Sequence, residues 1–211
     1  GPDALLTVEL PAGTPAHAAG FADGLVIEGV ADDSAISIDE FVARAGAGAL
    51  GAAVELALPG AADPVALQRS PGIALLHDAA LRPVAPGEGL DASAVVRQVQ
   101  EQFDVAGANW RPWWSDRPLV TAGPADVLVS TWWREGEVLA AVVNLSESEP
   151  VVELSLDREA LDLGPWVWAV DLLAGRRVPQ VGEILRMRME PGQTSLVHAR
   201  TRHEREVDFD E

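Results

Sequence analysis

The chain has 211 residues, 48% of them hydrophobic, which is enough for one large domain or two small ones around a sizeable core and excludes a disordered polymer. Thirty-three Asp and Glu stand against fifteen basic residues, all of them arginine, and the formal charge of -18 works against nucleic acid and anionic membrane, whose binding rests on cationic neutralisation of phosphates. There is no cysteine, so disulfides, thiolate nucleophiles and cysteine metal sites are excluded.

In chain order, the first half alternates strand and helix. Leu5 to Leu10 and Gly24 to Val30 read as strands, and Ile38 to Ala47 as a helix capped by Ser37 with Asp39 and Glu40 in its first turn. Ala52 to Leu58 is the next strand, and Asp63-Pro64 opens a short helix through Gln68. The apolar run Gly72 to His77 then reads as a buried strand with His77 and Asp78 at its C-terminal end, where a covered parallel strand presents side chains to a site. Arg82 lies just beyond. A helix follows, with Asp91 as cap, Val95, Val99 and Phe103 on one face and Gly107 as its stop. Strand, crossover and strand in this order predict a parallel sheet with helices outside it, in which Gly24 to Val30, Ala52 to Leu58 and Gly72 to His77 are neighbours.

After about Gly123 the runs become short and β-rich. Asp126 to Trp133, Glu137 to Asn144, Val151 to Leu156, Trp166 to Leu172, Glu183 to Met189 and Thr194 to Ala199 are joined by turn residues and predict an antiparallel sandwich with Val138 to Val143 central. The expected division is 1–123 for α/β units and linker, 124–200 for the sandwich and 201–211 for an acidic, disordered tail.

The order GLVIEGV, GIALLHDAALRP, helix, NWRPWWSDRPLV and VLVSTWWREGEVLAAVVNLSESEPVVELSLD resembles the C-terminal part of bacterial relatives of glycoside hydrolase family 123. The resemblance spans most of Gly20 to Arg200. It implies the end of a (β/α)8 barrel followed by a β-sandwich, an α/β part followed by an all-β part, with an oligosaccharide or glycoside as substrate. A full barrel takes roughly 250 residues, so the chain reads as the last units of one, a fragment whose open strand edges can pair with missing N-terminal barrel sequence or another copy. The family's mechanism uses an adjacent Asp-Glu pair. Asp39-Glu40 sits at a helix start and Asp210-Glu211 in the tail, so that pair is expected in sequence outside this chain.

Among the polar residues, Glu28 near a strand end is a candidate general acid or sugar ligand, or the partner of a buried arginine. With Asp78 it forms the weak candidate catalytic pair of glycoside hydrolysis. Glu55 is expected to point into a barrel layer or meet Arg69. His77, Asp78, Arg82, Trp113 and Trp114 are the candidate substrate-binding residues, since tryptophan faces stack on pyranose rings. The competing assignment for Trp110, Trp113 and Trp114 is a plug between the two domains, and for His77-Asp78 a loop cap. Trp132, Trp133, Trp166 and Trp168 are assigned to the sandwich core. His17, His198 and His203 form no metal motif, GAGAL lacks the lysine of a phosphate loop, and neither metal nor cofactor is expected. No run reaches the roughly 20 apolar residues of a membrane helix, and the first residues carry no signal-peptide pattern, leaving the compartment open, extracellular or periplasmic included. The alternative to a hydrolase is a non-catalytic glycan-binding or structural unit.

Overall fold

The computed structural model describes residues 7–10, 24–28, 30–31, 34–35, 38–45, 53–58, 64–83 and 88–201, which form two compact units, Gly1–Arg97 and Gln98–Glu211. The Ser37 and Asp63 caps, His17, His203 and the tail beyond residue 201 lie outside the described residues.

The first unit contains β1 (Thr7–Leu10), β2 (Gly24–Glu28), the short pair β3 (Val30–Ala31) and β4 (Ser34–Ala35), α1 (Ile38–Ala45), β5 (Ala53–Leu58), α2 (Pro64–Leu76), β6 (Ala80–Pro83) and most of α3 (Glu88–Phe103). Strands β1, β2, β5 and β6 form one four-stranded sheet in that order, and all three pairings are parallel. Ile27 and Leu56 lie opposite each other in register and are fully buried, as an apolar strand covered by crossover helices requires.

The expected third strand is misplaced. Gly72 to Leu76 belongs to helix α2, and the strand paired with β5 is Ala80–Pro83. The physical reason is that Pro71 to Leu76 is buried on every side, so this stretch of the helix carries no polar stripe and its apolar run is indistinguishable by period from a covered strand. Pro71 lies inside the helix, where a proline ordinarily signals a break. The helix also ends without glycine. Asp78 takes the left-handed conformation (φ 54°), its N–H donates to the Leu75 carbonyl at 3.4 Å, and the Ala79 N–H donates to the Ala74 carbonyl at 3.0 Å. Those two bonds make a Schellman cap with aspartate in the position that glycine ordinarily fills.

Helix α3 starts at Glu88, so Asp91 lies within it and does not cap it. Its buried residues include Val96, Val99 and Phe103, whereas Val95 is 45% exposed, and it ends at Asp104, again left-handed (φ 55°), ahead of Gly107.

The second unit is built from β7 (Asn109–Arg111), β8 (Val120–Ala122), β9 (Val127–Arg134), β10 (Glu137–Asn144), β11 (Val151–Leu156), β12 (Val167–Asp171), β13 (Arg176–Arg177), β14 (Gln180–Val181), β15 (Ile184–Arg188) and β16 (Thr194–Thr201). A six-stranded sheet runs β13-β12-β16-β10-β9-β7 and a four-stranded sheet runs β14-β15-β11-β8, with every pairing antiparallel. Strands β7 and β8 lie upstream of residue 124, so the segment expected to be a linker contributes one strand to each sheet. Valines 127, 129, 138 and 142 of the larger sheet and Val152, Leu154, Leu185 and Met187 of the smaller share one core. Alternation puts Leu139, Ala141 and Val143 on the opposite face of β10, and they too are fully buried. The central position expected for Val138 to Val143 is the observed one, with β9 and β16 on either side.

Two polar clusters complete this unit. Asn144, fully buried at the end of β10, donates through Nδ2 to the Ser148 and Glu190 carbonyls (2.9 and 2.8 Å) and accepts at Oδ1 from the Ser146 N–H and hydroxyl (3.0 and 2.7 Å). It ties the turn after β10 to the turn before β16. At the other end of β10, Glu137 accepts from Arg134 Nε at 2.5 Å and meets His198 Nε2 at 2.8 Å. Phe103 lies between them, 4.8 Å from the Arg134 guanidinium and edge-on to the His198 ring at 5.4 Å. Burial alone raises the Glu137 carboxyl, but the hydrogen bonds and charges of Arg134 and His198 outweigh it and hold the group below the usual glutamate range.

Replacement of Asn144 by Ala leaves two carbonyls and an amide without their partner and is expected to cost on the order of 3 kcal/mol in chemical denaturation; a loss below about 0.5 kcal/mol contradicts the assigned role. Glu137 has a depressed folded pKa, so its contribution is present above the unfolded glutamate value and is lost as pH falls through the folded one. Stability measured from about pH 6 to about pH 3 is therefore expected to fall less steeply in Glu137→Gln than in the parent, and parallel curves contradict the pairing.

Candidate functional site

In a parallel sheet the chemistry gathers where the strands end, because loops leaving that edge are free to vary while the strands hold their positions. The register identifies which residues reach that edge: Glu28, the last residue of β2, pairs with Ala57, and Ala57 with Arg82. Glu28 and Arg82 therefore sit at one level, separated by a single strand, at the C-terminal end of the sheet. Glu55 lies two residues back on β5, and its carboxylate meets Arg82 Nη1 at 3.7 Å with side-chain exposures of 40% and 55%. The expected partner, Arg69, is not the one found, and its Nε is buried without a hydrogen bond. An ion pair this open is worth little to stability, so it leaves Arg82 available to a ligand at small cost.

Asp78 is elsewhere. It precedes β6 by two residues, exposed, at the N-terminal end of that strand and opposite to Glu28. The strand-end argument for His77 and Asp78 fails with the strand. His77 completes the helix terminus: its Nδ1 donates to the Ile73 carbonyl at 2.7 Å and its ring lies 4.8 Å from Phe41. Burial lowers the imidazole pKa, with the bond to Ile73 opposing in part. A histidine held neutral against a helix end fits the capping alternative.

The tryptophans divide by register. Trp110 on β7 pairs with Trp132 on β9. The turn that follows folds onto the same face of the six-stranded sheet, where the Trp113 N–H donates to Ser130 Oγ at 2.9 Å. Trp114 meets Trp110 and Trp113 edge to face, at 5.7 and 5.6 Å, and is 52% exposed. Trp133 packs against the inter-sheet core as expected, but Trp132 is buried on the outer face. Trp166 is 67% exposed and Trp168 lies on the face opposite the core residues Val167 and Ala169, so neither belongs to the sandwich core. Their i, i+2 spacing was visible in the sequence, but which face of the strand the core would take was not. Among the described residues no group of His, Asp and Glu is placed to hold a metal ion, and no helix is long and apolar enough to cross a membrane.

Comparison with known proteins bears on both units. Residues 92–175 match the family described as glycoside hydrolase 123, C-terminal domain. No curated protein matches the chain. Among solved structures, an Anoxybacillus α-amylase is similar with a TM-score of 0.52 at 9% identity, covering 85% of this chain and 53% of its own. A Geobacillus thermoleovorans α-amylase solved with acarbose gives 0.52 at 7% identity, covering 85% and 54%. A Geobacillus stearothermophilus GH27 β-L-arabinopyranosidase gives 0.47 at 14% identity, covering 86% and 59%. The chain spans about half the length of the two amylases, and at these identities the likeness is one of fold. Residues 92–175 are thus similar to the C-terminal domain of glycoside hydrolase family 123.

Proposed function

We propose that the chain is the C-terminal portion of a carbohydrate-active glycoside hydrolase, in which β1, β2, β5 and β6 are four strands of a (β/α)8 barrel and the sandwich follows as the appended domain. The observation that carries this reading is the shared level of Glu28 and Arg82 at the C-terminal end of four consecutive parallel strands, the edge at which barrel enzymes hold their substrates. The connections from β2 to β5 through α1 and from β5 to β6 through α2 fit that architecture. The family match and the fold likeness to glycosidases support it.

In this reading Arg82 binds sugar hydroxyls or a developing negative charge, using donors that its exposed pair with Glu55 leaves accessible. Glu28 is the candidate polar ligand for the substrate in this unit. The exposed ring of Trp114 offers the second unit a stacking surface for a pyranose. The acid and nucleophile machinery of the whole enzyme is placed in sequence beyond these strands, so the chain supplies substrate contacts and does not complete the reaction.

The 211-residue chain alone is expected to give no turnover of aryl glycosides, and measurable turnover overturns the proposal. In the complete enzyme, Glu28→Gln is expected to lower kcat/KM on the order of 10²-fold. Asp78→Asn, at a helix cap on the other end of the sheet, is expected to change it less than about threefold. The reverse ranking of these two variants, measured side by side, would return the site to His77-Asp78.

A further inference from the structure

The register of β5 and β6 sets four residues at the corners of a rectangle on one face of the parallel sheet. Glu55 pairs with Ala80 and Ala57 with Arg82, and residues two apart on a strand share a face, so the charged residues occupy one diagonal and the alanines the other. With strands about 4.8 Å apart and a rise of about 3.3 Å per residue, the rectangle measures about 5 by 7 Å, on the scale of one sugar ring. Ala57 is buried at its floor and Ala80 is exposed. The intervening residues, Leu56 and Leu81, take the other face, where Leu56 is fully buried.

Glu55 is the third residue of β5, between Val54 and Leu56. A carboxylate set among apolar side chains loses hydration and adds nothing to packing, and stability does not account for this one. Its Oε2 lies 3.7 Å from Arg82 Nη1, beyond hydrogen-bond length, and both side chains are partly exposed. Among the described residues neither group has another polar partner. The carboxylate therefore keeps its acceptor sites and the guanidinium its donors, side by side on the same face.

A donor beside an acceptor is the complement of two neighbouring hydroxyls. One hydroxyl oxygen accepts from the guanidinium while the other hydroxyl donates its proton to the carboxylate. An anionic group is read differently, by an arginine whose charge is not already compensated. Here Glu55 compensates Arg82, the register sets a second glutamate, Glu28, level with Arg82, and the chain carries a net charge of -18. This edge of the sheet offers no surplus of positive charge to a carboxylated or sulfated sugar.

We propose that Glu55 and Arg82 bind the substrate together, as an acceptor and donor pair for adjacent hydroxyls of an uncharged sugar, and that Glu55 is the residue that sets selection against acidic sugars. The presence of a sugar rests on the glycoside hydrolase reading; the choice of an uncharged one rests on the pair.

The test compares the complete enzyme with its Glu55→Gln variant on p-nitrophenyl hexosides and the matching hexuronides, with saturation-transfer NMR of the free sugars as a readout that needs no turnover. The parent is expected to favour the uncharged member of a pair by about tenfold or more. Glu55→Gln keeps the shape and removes the charge, so KM for the uncharged substrate is expected to rise about tenfold with kcat changed less than about threefold, and the preference over the uronide to shrink about tenfold. Its thermal midpoint is expected to stay at the parental value, because the pair is open to solvent. Arg82→Gln is expected to shift the preference the other way, which the loss of a merely structural pair does not do, and it provides a second route should Glu55→Gln fold poorly. A parent that favours the uronide, or a Glu55→Gln enzyme with parental KM and parental preference, overturns the proposal, and a strong loss of activity in Glu28→Gln then leaves the hydrolase reading standing. A complete protein that neither binds nor turns over a sugar of either series overturns both.

Discussion

Six consecutive apolar side chains, Val138 to Val143, must lose water on both faces of one strand. Because neighbouring side chains alternate, no single packed layer can satisfy this run; β10 has to lie inside a sheet with cover on either side. One set, Val138, Ala140 and Val142, joins the core between the two sheets, and the other, Leu139, Ala141 and Val143, is buried on the outer face. The register of β10 with β9 and β16 follows from that demand, since a slip of one residue exchanges the two faces. Asn144 and Glu137 then mark the ends of the strand, the first tying turns together and the second joining Arg134, His198 and Phe103.

The same register determines which surface residues become neighbours. Trp168, Arg200, Glu137 and Arg134 come from four strands spread over nearly seventy positions, and only the pairing of those strands sets them in a row. Arg134 and Glu137 of that row are joined to His198 and Phe103.

In the parallel unit the decisive quantity is direction. Residues at the two ends of a strand are chemically similar on paper, yet only one end of a parallel sheet gathers loops into a common site. Glu28 and Arg82 fall at that end, and Asp78 falls at the other, where it closes a helix in a conformation that aspartate tolerates better than most residues. The exposed Glu55–Arg82 pair shows how little holds the arginine in place.

Much of the architecture was legible in the residues themselves. Strands β9, β10, β11, β12, β15 and β16 stand within two positions of their apolar runs, and β2 and β5 are parallel neighbours as their crossover segment implied, because alternation, turn residues and segment length are local properties of the chain; the short β7, β8, β13 and β14 carry no such run. The failures share a cause. The second half of helix α2 reads as a strand because a segment buried on all sides has no period to reveal its conformation, and α3 ends in a left-handed aspartate ahead of the glycine expected to stop it. The faces taken by Trp132 and Trp168, the partner of Glu55 and the end of the sheet on which Asp78 lies were decided by tertiary structure alone. Each depends on which strand lies alongside and in which register, and that is settled by the burial of residues far apart in the chain.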